Sequence, residues 1–83
     1  MKVTVRYFAS IREALQASAE TRETGAATLG ALRDELIALG GVHAQVLARG
    51  KAVRMALDQV MSEETTSLHD GCEVAFFPPV TGG

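Results

Sequence analysis

The chain has no tryptophan, a single cysteine, two histidines and only two prolines, which sit side by side near the end of its 83 residues. Each scarcity closes a class of function. Cys72 has no partner for an internal disulfide, and with His43 and His69 isolated in sequence no zinc-binding set can be assembled, so no metal site is expected. No stretch approaches the roughly 18 apolar residues of a membrane span. Neither sign of charge dominates: eight bases face ten acids, spread along the chain, for a net charge of −2. That balance offers no basic footprint for nucleic acid and no polybasic patch for a membrane surface. Walker-type loops and glycine-rich phosphate cradles are missing too, so any nucleotide chemistry must come from a partner. The opening "MKVTVRYFAS" alternates polar and apolar residues and reads as a strand rather than a signal peptide, which points to a reducing, cytoplasmic setting.

What is present suffices for one small domain. An apolar fraction of 47% is that of a globular chain. A chain this short buries roughly 60–65% of its unfolded surface, which leaves room for one core. From Lys2 to Phe8 the chain alternates, with Val3, Val5 and Tyr7 on one face and Thr4, Arg6 and Phe8 on the other. "IREALQ" (11–16) can form one or two helical turns, and the polar 17–24 segment suits a sheet edge. The clearest helix runs from an N-capping Thr28 to about Leu39, with Leu29, Leu32, Leu36 and Leu39 as one apolar stripe and Gly40-Gly41 as its stop. "HAQVLA" (43–48) suits another short helix. "AVRMALD" (52–58) alternates as a strand, with Val53, Met55 and Leu57 inward. "QVMSEETTS" fits a turn or a very short strand, "HDG" (69–71) a turn, and "CEVAFF" (72–77) the last strand. One leucine-striped helix needs one sheet face to cover it. The expectation is therefore an α+β domain over 1–77, a mixed sheet of four to five strands on one main helix, with the first and last strands side by side at its centre.

The end of the chain, "VAFFPPVTGG", raises the chemical question. Val74 and Phe76 share a strand face, so Phe77 lies on the opposite one. Pro78 and Pro79 lack an N–H and fix φ, so the segment can neither extend the sheet nor turn into a helix. Residues 78–83 are expected to form an extended tail reaching about 20 Å at roughly 3.3 Å per residue. Gly82 and Gly83, without Cβ atoms, can pass a channel that admits only backbone. A terminal carboxylate is ionised at neutral pH, with an ordinary pKa of about 3.5, and is a poor acyl donor until it is activated. Adenylation with ATP by a partner enzyme, followed by displacement of AMP by a sulfur donor, would turn it into a thiocarboxylate.

"DGCEVAFFPPVTGG" resembles the C-terminus of the small subunit of molybdopterin synthase, and "KVTVRYFASIRE", "TLGALRDEL" and "MALDQ" are similar to other elements of that family, so the resemblance spans nearly the whole chain. It implies the ubiquitin-like β-grasp fold. It also implies a role in molybdenum cofactor biosynthesis, as the sulfur-donating subunit of a sulfurtransferase complex. Gly83 would become a glycyl adenylate and then 1-thioglycine. The tail residues Val80, Thr81 and Gly82 would thread into the large subunit and deliver sulfur to a cyclic pyranopterin precursor. Phe77, Pro78, Pro79 and Phe8 would bind partners. The implied partners are an adenylating activating enzyme, which uses ATP, and the large subunit, in a heterotetramer with two of each chain. Acid and base residues would sit on the large subunit, and no cofactor would be permanently bound. This chain departs from the family pattern at His69 and Cys72, where polar non-thiol residues are usual, and at Asp58, where asparagine is.

Other readings of the same residues remain open. A terminal Gly-Gly is shared with sulfur carriers for thiazole, amino-acid or tRNA thiolation pathways and with ubiquitin-like protein modifiers; a plain interaction domain would make the glycines idle. Cys72 with His69 could form a nucleophilic pair, against the simpler reading of Cys72 as a small packed hydrophobe. Phe8 could instead pack under the 11–16 segment. His43 is expected to be solvated or a local cap, and Arg6, Arg49, Lys51 and Arg54 to keep a surface wet.

Overall fold

The computed structural model describes residues 1–79. Its elements run β1 (Lys2–Tyr7), α1 (Ala9–Leu15), β2 (Ala19–Glu23), α2 (Leu29–Ile37), α3 (Gly41–Leu47), β3 (Arg54–Leu57), β4 (Val60–Ser62) and β5 (Glu73–Phe77). The strands form one sheet in the order β2-β1-β5-β3-β4. β1 and β5 pair in parallel at its centre, and every other pairing is antiparallel. The central parallel pair is the one anticipated from the two most strongly alternating segments. Among the described residues no helix is long and apolar enough to cross a membrane.

Alternation along the strands decides what the sheet buries. Val3, Val5, Tyr7, Val74 and Phe76 are all essentially inaccessible, and they share one core with Leu29, Leu32 and Leu36 of α2 and Leu47 of α3. Truncating a leucine at such a position, Leu36 to alanine for example, costs about 2–5 kcal/mol because the cavity relaxes only in part. α2 begins where capping chemistry dictates: the Thr28 hydroxyl accepts a hydrogen bond from the Ala31 N–H at 3.1 Å. It ends sooner than the leucine spacing suggested. After Ile37 the Leu39 and Gly40 N–H groups bond back only three residues, to Leu36 and Ile37. That tightened turn swings Leu39 out of the stripe, leaving it 51% exposed.

Two further boundaries differ from the alternation pattern. β1 stops at Tyr7, and Phe8 is the extended N-cap of α1 rather than a strand residue, although its N–H still reaches the Phe76 carbonyl at 3.2 Å. β3 and β4 are joined by a two-residue turn, Asp58-Gln59, with φ of 49° and 70°. This left-handed pair matches the twist of a hairpin, and an aspartate tolerates it better than most residues do.

A charged side chain supports the helical layer from inside. Arg33 is 4% exposed. Its Nε donates to the Leu47 carbonyl at 2.8 Å, and its Nη2 to the carbonyls of Ala48 at 2.7 Å and Lys51 at 3.1 Å. One guanidinium thus satisfies carbonyls left over at the end of α3 and fixes the loop that follows. Arg49 is not merely solvated: it bonds Asp34, Glu64 and the Gly30 carbonyl, tying the same loop to α2.

Candidate functional site

β5 carries the chain out of the core toward the tail, so its two faces define what surrounds the tail's root. Val74 and Phe76 point into the core, leaving Glu73, Ala75 and Phe77 on the opposite face. Register extends that face across the sheet. Ala75 lies opposite Arg6 of β1 and Ala56 of β3, Ala56 opposite Met61 of β4, and Phe77 opposite Arg54. Ala75 and Ala56 form a low floor between these larger neighbours.

Phe8 and Phe77 meet on this face. Their rings lie edge to face, with centroids 6.3 Å apart and planes at 89°. The Arg6 guanidinium stands 5.5 Å from the Phe8 ring centroid and 3.8 Å from the Glu73 carboxylate. Phe8 is 40% exposed and Phe77 half-buried, so the pair presents aromatic surface to solvent without belonging to the core. Packing of Phe8 under α1 is not what the structure shows. Met61, 53% exposed on the same face, was not singled out in the sequence. Its signal was the two-residue Asp58-Gln59 turn, which sets the register and hence the face of β4.

Pro78 and Pro79 are half-buried and line a cleft against the helical layer, so the root of the tail is seated on the domain over these two residues. Val80, Thr81, Gly82 and Gly83 lie outside the described residues.

The structure links Cys72 and His69 only through the backbone, the Cys72 N–H donating to the His69 carbonyl at 3.1 Å, and keeps their side chains apart. Cys72 is fully buried in the core, where it packs as a small hydrophobe. The exposed His69 ring turns to Asp58 instead, with Nε2 2.7 Å from Oδ2 and Nδ1 3.2 Å from the Asp70 carbonyl. Both nitrogens face acceptors, an arrangement that only the doubly protonated ring satisfies. Hydrogen bonding to Asp58 accordingly raises the His69 pKa above its ordinary value. The Asp58 carboxyl is held low first by the Glu73 N–H, which donates to Oδ1 at 2.8 Å, and then by His69. The pair staples the β3–β4 turn to the start of β5. His43 is neither solvated nor a cap. It is half-buried, edge-on to Tyr7 at 6.3 Å, and its Nε2 has no hydrogen-bond partner.

The mixed five-stranded sheet under its helices is the ubiquitin-like β-grasp fold. Residues 5–83 match the ThiS family, and the chain belongs to that family. It is 37% identical over 81 residues to the molybdopterin synthase sulfur carrier subunit of Haemophilus influenzae, a match covering 98% of this chain and 99% of that protein. A solved complex of subunits 1 and 2 of the molybdopterin-converting factor from Helicobacter pylori contains a chain similar to this one, with a TM-score of 0.69 and 27% identity over 100% of both chains. SAMP1 of Haloferax volcanii, at 24% identity and a TM-score of 0.76 over 100% of both chains, shares the fold.

Proposed function

We propose that this chain is the sulfur-carrier subunit of a molybdopterin synthase and that Gly83 carries the reacting carboxylate. The observation that carries this reading is the end-to-end similarity to a protein of that function, with the family match running from residue 5 to residue 83. In the first step the Gly83 carboxylate attacks the α-phosphorus of ATP on an activating enzyme; pyrophosphate leaves and an acyl adenylate forms. Hydrosulfide then attacks the glycyl carbonyl and displaces AMP, leaving 1-thioglycine and releasing a proton. In the synthase the thiocarboxylate sulfur attacks a carbon of the cyclic pyranopterin precursor and displaces an oxygen substituent; water then hydrolyses the resulting thioester, leaving the sulfur on the pterin and restoring the Gly83 carboxylate. A dithiolene holds two sulfurs, so two charged chains are consumed per product, in keeping with a heterotetramer of two small and two large subunits.

The architecture suits that division of labour. The large subunit docks on the sheet face around Phe8, Phe77 and Met61, where exposed aromatic and thioether surface supplies the anchor that partner binding needs. The complex of two converting-factor subunits supports a large-subunit partner. Val80, Thr81 and Gly82 thread its channel, and Pro78-Pro79 aim them. ATP serves the activating enzyme and is not a resident cofactor. Cys72, sealed in the core, takes no part in sulfur handling.

The test is intact mass. Incubated with the activating enzyme, ATP and a sulfur donor, the chain gains about 16 Da, the difference between sulfur and oxygen, through the covalent chemistry proposed. No gain under those conditions refutes the carrier reading, whereas formation of isopeptide bonds to lysines would identify a protein modifier.

A further inference from the structure

We propose that the cleft beside the tail root is a second docking site, one that receives an apolar side chain flanked by a carboxylate from the channel rim of the protein that takes up the tail. This rests on the function proposed above. The cleft, of about 440 Å³, is walled by Ile11 and Ala14 of α1, Val46 of α3, Lys51 and Val53 of the following loop, and Pro79. It lies on the helical side of the root, while Phe8 and Phe77 lie on the opposite sheet face. A channel that admits an extended peptide surrounds it, so its rim must meet both flanks. The sheet face accounts for one flank, and the cleft is what the other presents.

The chemistry of the occupant follows from the lining. Every lining residue is apolar except Ser10 and Lys51, which makes Lys51 the one charge there. Among the described residues no carboxylate pairs with Lys51. An apolar side chain fills the floor, and an adjacent carboxylate satisfies the ammonium; a basic rim is repelled. The cleft is also held in shape before any partner arrives. Arg33 bonds the carbonyls of Leu47, Ala48 and Lys51, so the loop wall does not have to be ordered on binding.

Titration of the large subunit with the full chain tests this, using variants at two exposed cleft residues, Ala14→Trp and Lys51→Glu, with Lys51→Arg and Phe77→Ala as references. The Trp fills the cleft from an exposed helix position, and thermal melts confirm that each variant folds. Expected are a loss of about tenfold in affinity for Ala14→Trp and about fivefold for Lys51→Glu, on the scale where tenfold is 1.4 kcal/mol, with Lys51→Arg close to wild type. If both cleft variants bind as wild type while Phe77→Ala weakens binding, the cleft proposal is overturned and the proposed function stands. Equal losses for Lys51→Arg and Lys51→Glu overturn the carboxylate assignment. A free chain that is dimeric and becomes monomeric on Ala14→Trp assigns the cleft to a second copy and likewise overturns it. Failure of the wild-type chain to bind the large subunit defeats the functional reading and the cleft with it.

Discussion

Arg33 offers the most quantitative test of how the fold is held together around the tail root. Arg33→Met keeps most of the apolar stem and deletes the fork that reaches three carbonyls. Hydrogen bonds from a charged group contribute about 1.5–3 kcal/mol each when measured singly, but neighbours on one guanidinium are not additive. The Glu64 contact at 3.7 Å adds little, because it is long, and that carboxylate is 41% exposed and already accepts from Arg49. Breaking a buried charged network costs about 3–5 kcal/mol in comparable sites. An expected loss of about 3–4 kcal/mol follows, a large share of the roughly 4–12 kcal/mol that a chain of this size commands. At about 4–8 °C per kcal/mol for a small domain, the melting temperature falls by roughly 12–30 °C. Urea denaturation of both proteins at matched m-values measures the difference directly. Arg33→Lys retains the charge but not the planar fork, and should recover less than half of the loss. A destabilisation below about 1 kcal/mol refutes the reasoning, since it would mean that water or the loop itself satisfies those carbonyls as well as Arg33 does.

Two other perturbations separate surface from core. Phe77→Ala should weaken large-subunit binding by about 1–2 kcal/mol, roughly five- to thirtyfold, in a calorimetric titration, and unchanged affinity removes Phe77 as an anchor. The stabilisation supplied by His69 is complete below its ordinary pKa of 6.5 and disappears as pH rises through its raised folded value, while that of Asp58 holds above 3.8 and fades as pH falls through its lowered one. Denaturation midpoints should therefore decline as pH climbs past neutrality, and His69→Gln should flatten that slope; an identical pH profile in the variant contradicts the staple.

Much of this was legible along the chain because period-two alternation in "KVTVRY" and "EVAFF" reports faces directly. The same alternation separated Phe77 from Phe76 and placed Phe8 on the outward side. Leu39 was misplaced because helical spacing predicts a face only while the helix lasts, and α2 ends two residues earlier. Arg33 gave no signal at all: a charged residue inside a helix reads as solvated, and the carbonyls it serves come from Leu47 to Lys51, distant in sequence. The His69–Asp58 pair stayed hidden for a related reason, being a tertiary contact between two turns. Met61 needed the exact hairpin register, which a two-residue turn sets and residue types alone do not.

If Gly83 is the site of sulfur transfer, removing it ends product formation while the domain stays folded. The decisive measurement is molybdopterin formation in a mixture of this chain, charged by its activating enzyme, the large subunit and the pyranopterin precursor, run beside a chain lacking Gly83. The intact chain should yield product in a ratio of two carriers consumed per molecule, and the shortened one, still folded, should yield none. Equal product from both would show that the sulfur travels by another route.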